Sequence, residues 1–555
     1  MTAALLDRPS SAPATAPRRR RPTSGRLVFL VVLAAYAATA AVLVLGFDSI
    51  MEDALSRLSA ASSVWSALDP KLAAVGFVWT PLPALLMVPF TPLRALWPEL
   101  VSTGLLAALL SAVAMAAAVA VLHGLLGDLR VRPAARWTLT ALFALQPIVV
   151  VYSANGMTEA LLVLFLLLAA RRLLAWTRGG ADADATQLVA AGLFLGLGYL
   201  ARYEAVVAAA AATALVVATT ALRAPRARRA AAVVADGLLI GMPAVAAFVL
   251  WAVVSWSIVG RPFEQFTSVY GNSALVAGGS GGAAGAADVV AQLLWLVPLA
   301  LPVLLAAGLH AVRRRDPAVL VPVALFGSVL ALEWALHLSG NLFGFLRYQI
   351  TLVPLVAVLL GLLLRDARPG RGPRTAGAVA LVVAVLGSAL ASSAALLLTQ
   401  PVLASQEHLR VAPVVAARGG PAAADQPAGD PGANGMWADD RALAARVDAL
   451  GEALDLPPGS VLADTGAAFA VVAASRDPQL FLITSDDGFA AALADPPAHG
   501  IRYLLRNERG GVDTVRSTWP VLGGPGGPAW ARLVAEHPGA GPWSYSWTLW
   551  EVGPA

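Results

Sequence analysis

The sequence predicts a polytopic α-helical membrane protein of about 11 transmembrane helices, with a small extracytoplasmic α/β domain at the C-terminal end. Composition, span length and the placement of arginine carry that expectation. Of 555 residues, 58% are hydrophobic and only 13% charged, at a mean hydropathy of +0.71. A soluble domain is about one-quarter charged. Apolar segments long enough to cross lie at 27–46, 102–125, 137–153, 158–175, 187–201, 205–222, 231–258, 289–311, 317–337, 348–364 and 375–398. Between them stand six basic clusters, at 18–21, 127–136, 171–178, 222–229, 312–316 and 364–374. With eleven crossings all six fall on one face, which the positive-inside rule makes cytoplasmic.

The chain then divides into a basic cytoplasmic tail (1–26), a membrane domain (27–399) with a long first extracytoplasmic loop (47–101), a linker (400–436) and a C-terminal domain (437–555). RRRR at 18–21 precedes a long apolar run without a small-x-small cleavage site, so it reads as an uncleaved first span. PLPALLMVPFTPLRALWP (81–98) is apolar but short and proline-rich. Counting it as a crossing would move every later arginine cluster outside, which places it as an interfacial or re-entrant helix on the outer face. Residues 411–436 are rich in Pro, Gly and Ala and read as a linker. Beyond them SVLADTG, FAVVAAS, QLFLITSD and IRYLLR read as strands, with DDRALAARVDALGEAL and DGFAAALAD as helices.

The 38 arginines against one lysine fit a GC-rich genome, and their clustering between spans favours topology over nucleic-acid binding. Without any cysteine, disulfides, thiolate metal sites and cysteine nucleophiles are excluded. The six histidines form no ligand set, and no phosphate-cradling glycine motif appears in a supporting context.

The outward loops hold the residues that could do chemistry. DSIMEDALSRLSAASSVW begins where the first span ends, with Asp48, Glu52 and Asp53 within six positions. On a helix Asp48 and Glu52 share a face at i, i+4, and Asp53 pairs with Arg57. Such acids complement a helix dipole, or one acts as a general base, or two hold a divalent cation. In SANGMTEALL, Glu159 stands at the outer end of a span, either in a capped first turn with Asn155 or Thr158 or as a functional carboxylate. Arg202 and Glu204 in ARYE form an internal ion pair, or Arg202 binds phosphate. Arg347 and Tyr348, in FLRYQ, put an arginine at the outer mouth of a span, against the positive-inside bias. The lone lysine, Lys71, does the same, and snorkelling is the plain alternative for Arg347. Arg261 and Glu264 open a loop whose glycine-rich end is either a lid or merely disordered.

In this order the segments resemble the GT-C superfamily of polytopic glycosyltransferases, which take sugars from polyprenyl phosphates. The resemblance is closest to the bacterial branch of arabinofuranosyltransferases and protein-mannosyltransferase-like enzymes. It rests on Glu52-Asp53-Ala54-Leu55, GFVWTPLPALLMVPF, SANGMTEALLVLFLLLA, LGYLARYEAVVAAAA and FLRYQITLVPLVAVL, and covers about 27–365. It implies that Glu52 or Asp53, standing where Asp-Asp is usual, is the catalytic base. Asp53 is the slightly preferred of the two. Arg347 would contact donor phosphate, and the match at Glu159 carries an extra Thr158. It further implies a multi-pass protein of the bacterial plasma membrane, N-terminus cytoplasmic, using a polyprenyl-phosphate sugar donor and a cell-envelope acceptor. Asp48, Lys71, Glu159, Arg202, Glu204, Arg261, Arg347 and Tyr348 become candidate substrate contacts. No cofactor is certain; two adjacent carboxylates are compatible with Mg or Mn, held by Glu52 and Asp53, without requiring it. The chemistry expected is inverting transfer by single displacement. A flippase or transporter of lipid-linked glycans, for which Glu333 inside a span is the one supporting charge, and a receptor whose C-terminal domain is the working part are the competing classes.

Overall fold

The computed structural model describes residues 23–180, 184–271, 285–365, 373–417, 432–509, 512–523, 526–539 and 545–554. The RRRR cluster, most of the glycine-rich run of the 260–288 loop, much of the cluster at 364–374 and the middle of the expected linker lie outside them.

Among the described residues, eight helices are long and apolar enough to cross a membrane, or nine if one bent pair counts as a single span. This is the make-up of a multi-pass membrane protein. The eight correspond to all but three of the expected spans. The bent pair, Ala286–Leu296 and Ala300–Arg314, turns by 78° around Pro298, which removes a helix-interior donor and clashes with the preceding turn. The expected span 137–153 is two helices, Pro133–Ala144 and Pro147–Tyr152. The break before Pro147 follows from the bias against α geometry ahead of proline. Gln146 fills it, its side-chain amide donating to Leu296 O (3.3 Å), Ala389 O (3.2 Å) and Ser393 Oγ (2.8 Å). The expected span 187–201 is a helix of 16 residues, Thr186–Ala201. The proline-rich stretch is a short helix, Leu82–Met87, continued as 3-10 turns over Val88–Ala95, too short to cross.

Among the described residues, the basic clusters gather at one end of the helices. Arg171 pairs with Asp128 at 2.6 Å, Arg178 donates to Asp128 O at 2.7 Å and Arg223 to Thr177 O at 2.8 Å. Arg132 reaches Thr375 Oγ1 at 2.6 Å, and Arg365 pairs with Asp316. The other ends of the same helices carry the loops that hold the acidic and arginine candidates.

The C-terminal domain is a five-stranded sheet of order β2-β1-β3-β5-β4, formed by β1 (Val461–Ala463), β2 (Phe481–Ile483), β3 (Tyr503–Asn507), β4 (Ala531–His537) and β5 (Trp547–Val552). β1 pairs in parallel with both β2 and β3, while β5 runs antiparallel to β3 and to β4. Three corrections follow. FAVVAAS is a helix, Thr465–Ala474, started by the Asp464 carboxylate accepting from Gly466 N at 2.7 Å; a cap and an alanine-rich run outweigh the strand pattern. β4 and β5 were not foreseen. Part of the expected linker is the helix Ser405–Ala416, which buries Glu407.

The two domains share one hydrophobic core, which runs without interruption from Tyr36 and Ile50 to Phe469, Trp437 and Trp547. The helix Glu52–Ser66 of the first loop lies at their junction, packed on the helix Thr465–Ala474. Arg94 fastens the proline-rich stretch to both sides, donating to Ser62 Oγ (3.1 Å) and Ser475 O (2.5 Å).

Candidate functional site

Four segments converge at the end of the helices opposite the basic clusters. The first is the acid turn, residues 48–53. Ile50 is fully buried at its centre, and two left-handed glycines crowd that side chain. Gly104 (φ 83°) and Gly156 (φ 79°) have no room for a Cβ, which would fall 2.7 Å from Ile50 Cγ1 and from Ala54 Cβ respectively. Side chains at either glycine would push the acid turn away. Met51 N donates to Asn155 O at 3.4 Å, tying the acid turn to SANGMT. The helix then begins at Glu52, which puts Glu52 and Asp53 in its first turn, where the dipole favours negative charge.

The geometry differs from expectation at Asp48 and at Arg57. Asp48 has φ 52° and precedes the helix, so it shares no helical face with Glu52. Its carboxylate pairs with Arg441 of the C-terminal domain at 2.6 Å. Burial pushes the Asp48 acid above its usual range, and Arg441 pulls it partly back. Arg57 does not pair with the Asp53 carboxylate. It donates to Asp53 O at 3.2 Å, and its guanidinium stacks 4.4 Å from the centre of the Trp79 ring.

The Asp53 carboxylate instead meets Arg347 at 3.3 Å. From there charges alternate inward. Arg347 Nε lies 3.9 Å from Glu159, and Glu159 accepts from Arg202 at 2.6 Å. Arg202 also grips Glu204 with two nitrogens, at 2.5 and 3.2 Å. Glu159 is the first residue of its helix and is 1% exposed; Thr158 makes no side-chain cap, so an ion pair replaces the expected capping. All three nitrogens of the Arg202 guanidinium are engaged, and two carboxylates take most of its donors. Arg347 differs, because its Nε is buried without a hydrogen-bond partner, as is Arg57 Nε. Tyr348, buried beside Arg347, also leaves its hydroxyl without a partner. Glu333 is buried within electrostatic range of Glu204 and Arg202.

Beside these charges is a narrow cleft of about 30 Å³ with Asp53, Arg57, Trp79, Arg202, Glu204, Arg347 and Tyr348 on its wall. Asp53 is the accessible carboxylate there, at 25% exposure against 1–2% for Glu159 and Glu204. A larger hollow lies on the C-terminal sheet by Arg506, Glu508 and Trp550, apart from this charge cluster.

Glu52 points elsewhere. It retains exposed surface, and Tyr545 donates to its carboxylate at 2.5 Å. Although the residue is exposed, protein beside that carboxylate removes part of its solvent and pushes its acid group up. The neighbouring Asp53 adds to the rise, and Tyr545, Arg410 and Arg347 oppose it.

Of the expected contacts, Asp48, Lys71 and Arg261 are not brought to the cleft, and Glu159 is not on its wall. Lys71 pairs with Asp487 of the C-terminal domain at 2.5 Å, and Arg261, 68% exposed, pairs with Glu264 one helical turn on. Lys71 thus bridges the domains and Arg261 closes a surface pair. Sequence reasoning missed Tyr152, which donates to Glu407 at 2.5 Å, and with it Arg410, Trp437 and Tyr545. Those residues lie 100 to 490 positions from the acid turn, beyond any local pattern. Among the described residues no group of three or more His, Cys, Asp or Glu could hold a metal ion. The pair Glu52 and Asp53 therefore lacks a third ligand of that kind, and their carboxylates are directed to Tyr545 and Arg347.

No protein-family model matches the chain, and no curated protein matches it in sequence. Among solved structures, ArnT from Cupriavidus metallidurans in the apo state is similar at 14% identity, over 95% of this chain and 98% of that one, with a TM-score of 0.49. The same protein bound to undecaprenyl phosphate gives 14% identity, 94% and 98% coverage and a TM-score of 0.47. The archaeal oligosaccharyltransferase AglB from Archaeoglobus fulgidus, in complex with an inhibitory peptide and a dolichol-phosphate, gives 13%, 87% and 69%, and 0.47. At these identities, and with TM-scores below 0.5, the likenesses carry no argument about activity.

Proposed function

We propose that the protein is a membrane glycosyltransferase that moves a sugar from a polyprenyl-phosphate donor to a hydroxyl of an extracytoplasmic acceptor, with inversion. One observation carries the reading: an accessible carboxylate, Asp53, is held 3.3 Å from an arginine, Arg347, whose Nε has no hydrogen-bond partner, in a cleft at the ends of membrane-length helices. A lipid-linked phosphate needs a cationic site at that depth, and guanidinium suits phosphate oxygens. The site faces away from the basic clusters, which the positive-inside rule assigns to the cytoplasm.

In the proposed step Asp53 takes the proton of the acceptor hydroxyl. The acceptor oxygen bonds to the anomeric carbon as the bond from that carbon to the phosphate oxygen breaks. The electron pair stays on polyprenyl phosphate, whose charge Arg347 and Arg57 stabilise. Arg202 has its donors engaged, so it holds Glu159 and Glu204 in place rather than the phosphate. Glu333, the charge a transporter reading would rest on, belongs to this same cluster. The sugar and the acceptor class, whether wall glycan, glycolipid or protein, follow from assay.

The test is release of polyprenyl phosphate by the full chain in nanodiscs, from a panel of labelled polyprenyl-phosphate sugars with and without divalent cation. Loss of release in Asp53→Asn with folding intact supports the reading. Full activity of both Asp53→Asn and Glu52→Gln would sink it.

A further inference from the structure

Glu52 and Asp53 are chain neighbours at the start of one helix, so their side chains leave it about 100° apart. Here one of them enters the cleft and the other does not. Asp53 lines the cleft and meets Arg347, while Glu52 turns to the C-terminal domain. Three residues of that domain grip the acid turn. Trp437 Nε1 donates to Ile50 O at 3.1 Å, Arg441 pairs with Asp48 at 2.6 Å, and Tyr545 donates to Glu52 Oε1 at 2.5 Å. Tyr545 is itself fixed. It is 8% exposed and stands edge-on to Trp547, which donates from Nε1 to Asp440 at 2.9 Å.

We propose that Tyr545 is a positioning residue, holding Glu52 against the C-terminal domain so that Asp53 is the one acid presented to the cleft. The inference rests on the glycosyltransferase reading and goes beyond it, since it makes the C-terminal domain part of the machinery that sorts the acid pair. Released from Tyr545, Glu52 is free to swing toward Arg347 and Arg410, the cations within its electrostatic range, and to compete with Asp53 for the first of them.

The experiment compares Tyr545→Phe, Glu52→Gln and the double variant of the full chain in nanodiscs. Phenylalanine keeps the ring packed on Trp547 and removes only the donor. Loss of one hydrogen bond to a charged group lowers kcat about tenfold with donor KM unchanged. In the Glu52→Gln background the same change costs less than roughly twofold, because the two residues act as one unit. A kcat within about twofold of wild type, or an undiminished tenfold drop in the Gln background, overturns the proposal. A second measurement does not depend on turnover: amide hydrogen exchange of residues 48–56 accelerates in Tyr545→Phe while the helix Leu105–Asp128 is unchanged. Unaltered exchange in 48–56 overturns the proposal as well. If wild type releases no lipid phosphate from any donor, the glycosyltransferase reading fails, and exchange alone decides whether Tyr545 holds the turn.

Discussion

Asp53 and Arg202 illustrate how one charge network serves two purposes. Asp53 sits at the accessible end of the chain Asp53–Arg347–Glu159–Arg202–Glu204, and Arg202 lies toward the buried end. Removing a general base costs about 10²–10⁴-fold, so Asp53→Asn should lower kcat by that factor while the unfolding midpoint stays near wild type. Arg202→Gln should do the opposite first. It leaves buried Glu204 without its cation and buried Glu159 with only Arg347, 3.9 Å away, at a cost of about 3–5 kcal/mol. The expected result is a lowered melting temperature in detergent before any assay of turnover, which scanning fluorimetry checks. The residue types of this site were legible in the sequence, because an ionisable group at a span end needs a partner or a function. Which acid met which arginine was not. Asp53 and Arg57 have helical spacing for a pair, yet Arg57 gives its guanidinium to Trp79, and Arg347, 294 positions away, takes the carboxylate.

At the scale of elements, the helix Gly432–Ala453 and β5 are joined by the bond from Trp547 to Asp440. Burial pushes the Asp440 acid from 3.8 to about 7, with Asp439 and Asp48 adding to the rise and Trp547 and Arg441 opposing it. The sign follows from linkage. The folded state holds this proton more tightly than the unfolded chain, so the associated stability is fully present below about 3.8 and is lost as pH rises toward about 7. The C-terminal domain should therefore unfold more easily at pH 8 than at pH 5. Asp440→Asn should flatten that dependence, as followed by tryptophan fluorescence of the full chain against pH. Elements with strong local signals were foreseen: the long apolar helices, β1, β2, β3 and the amphipathic stretch within Gly432–Ala453. Those decided by a cap or by pairing were not. FAVVAAS has a strand-like run but follows Asp464, and β4 is mostly exposed, so it shows no inward-facing pattern.

For the whole molecule, the basic clusters and the cleft should lie on opposite sides of the bilayer. The chain lacks cysteine, so single cysteines report without background. Thr186→Cys, beside the arginine end, and Ala498→Cys, on the C-terminal domain, are both at exposed positions. An impermeant maleimide should label Ala498→Cys in intact spheroplasts and Thr186→Cys only after the membrane is opened. Equal labelling from one side would overturn the topology. By itself the sequence marked eight helices long and apolar enough to cross and where arginine collects between them, because hydrocarbon thickness sets span length and membrane insertion biases arginine to one side. It also marked which polar residues stand at the span ends. The tertiary structure decided which of them meet. That outcome depends on packing between segments hundreds of residues apart: Gly104 and Gly156 leave room for Ile50, and Trp437 and Tyr545 reach across the domain junction. Only that arrangement turns Asp53 toward Arg347 and Glu52 away from it.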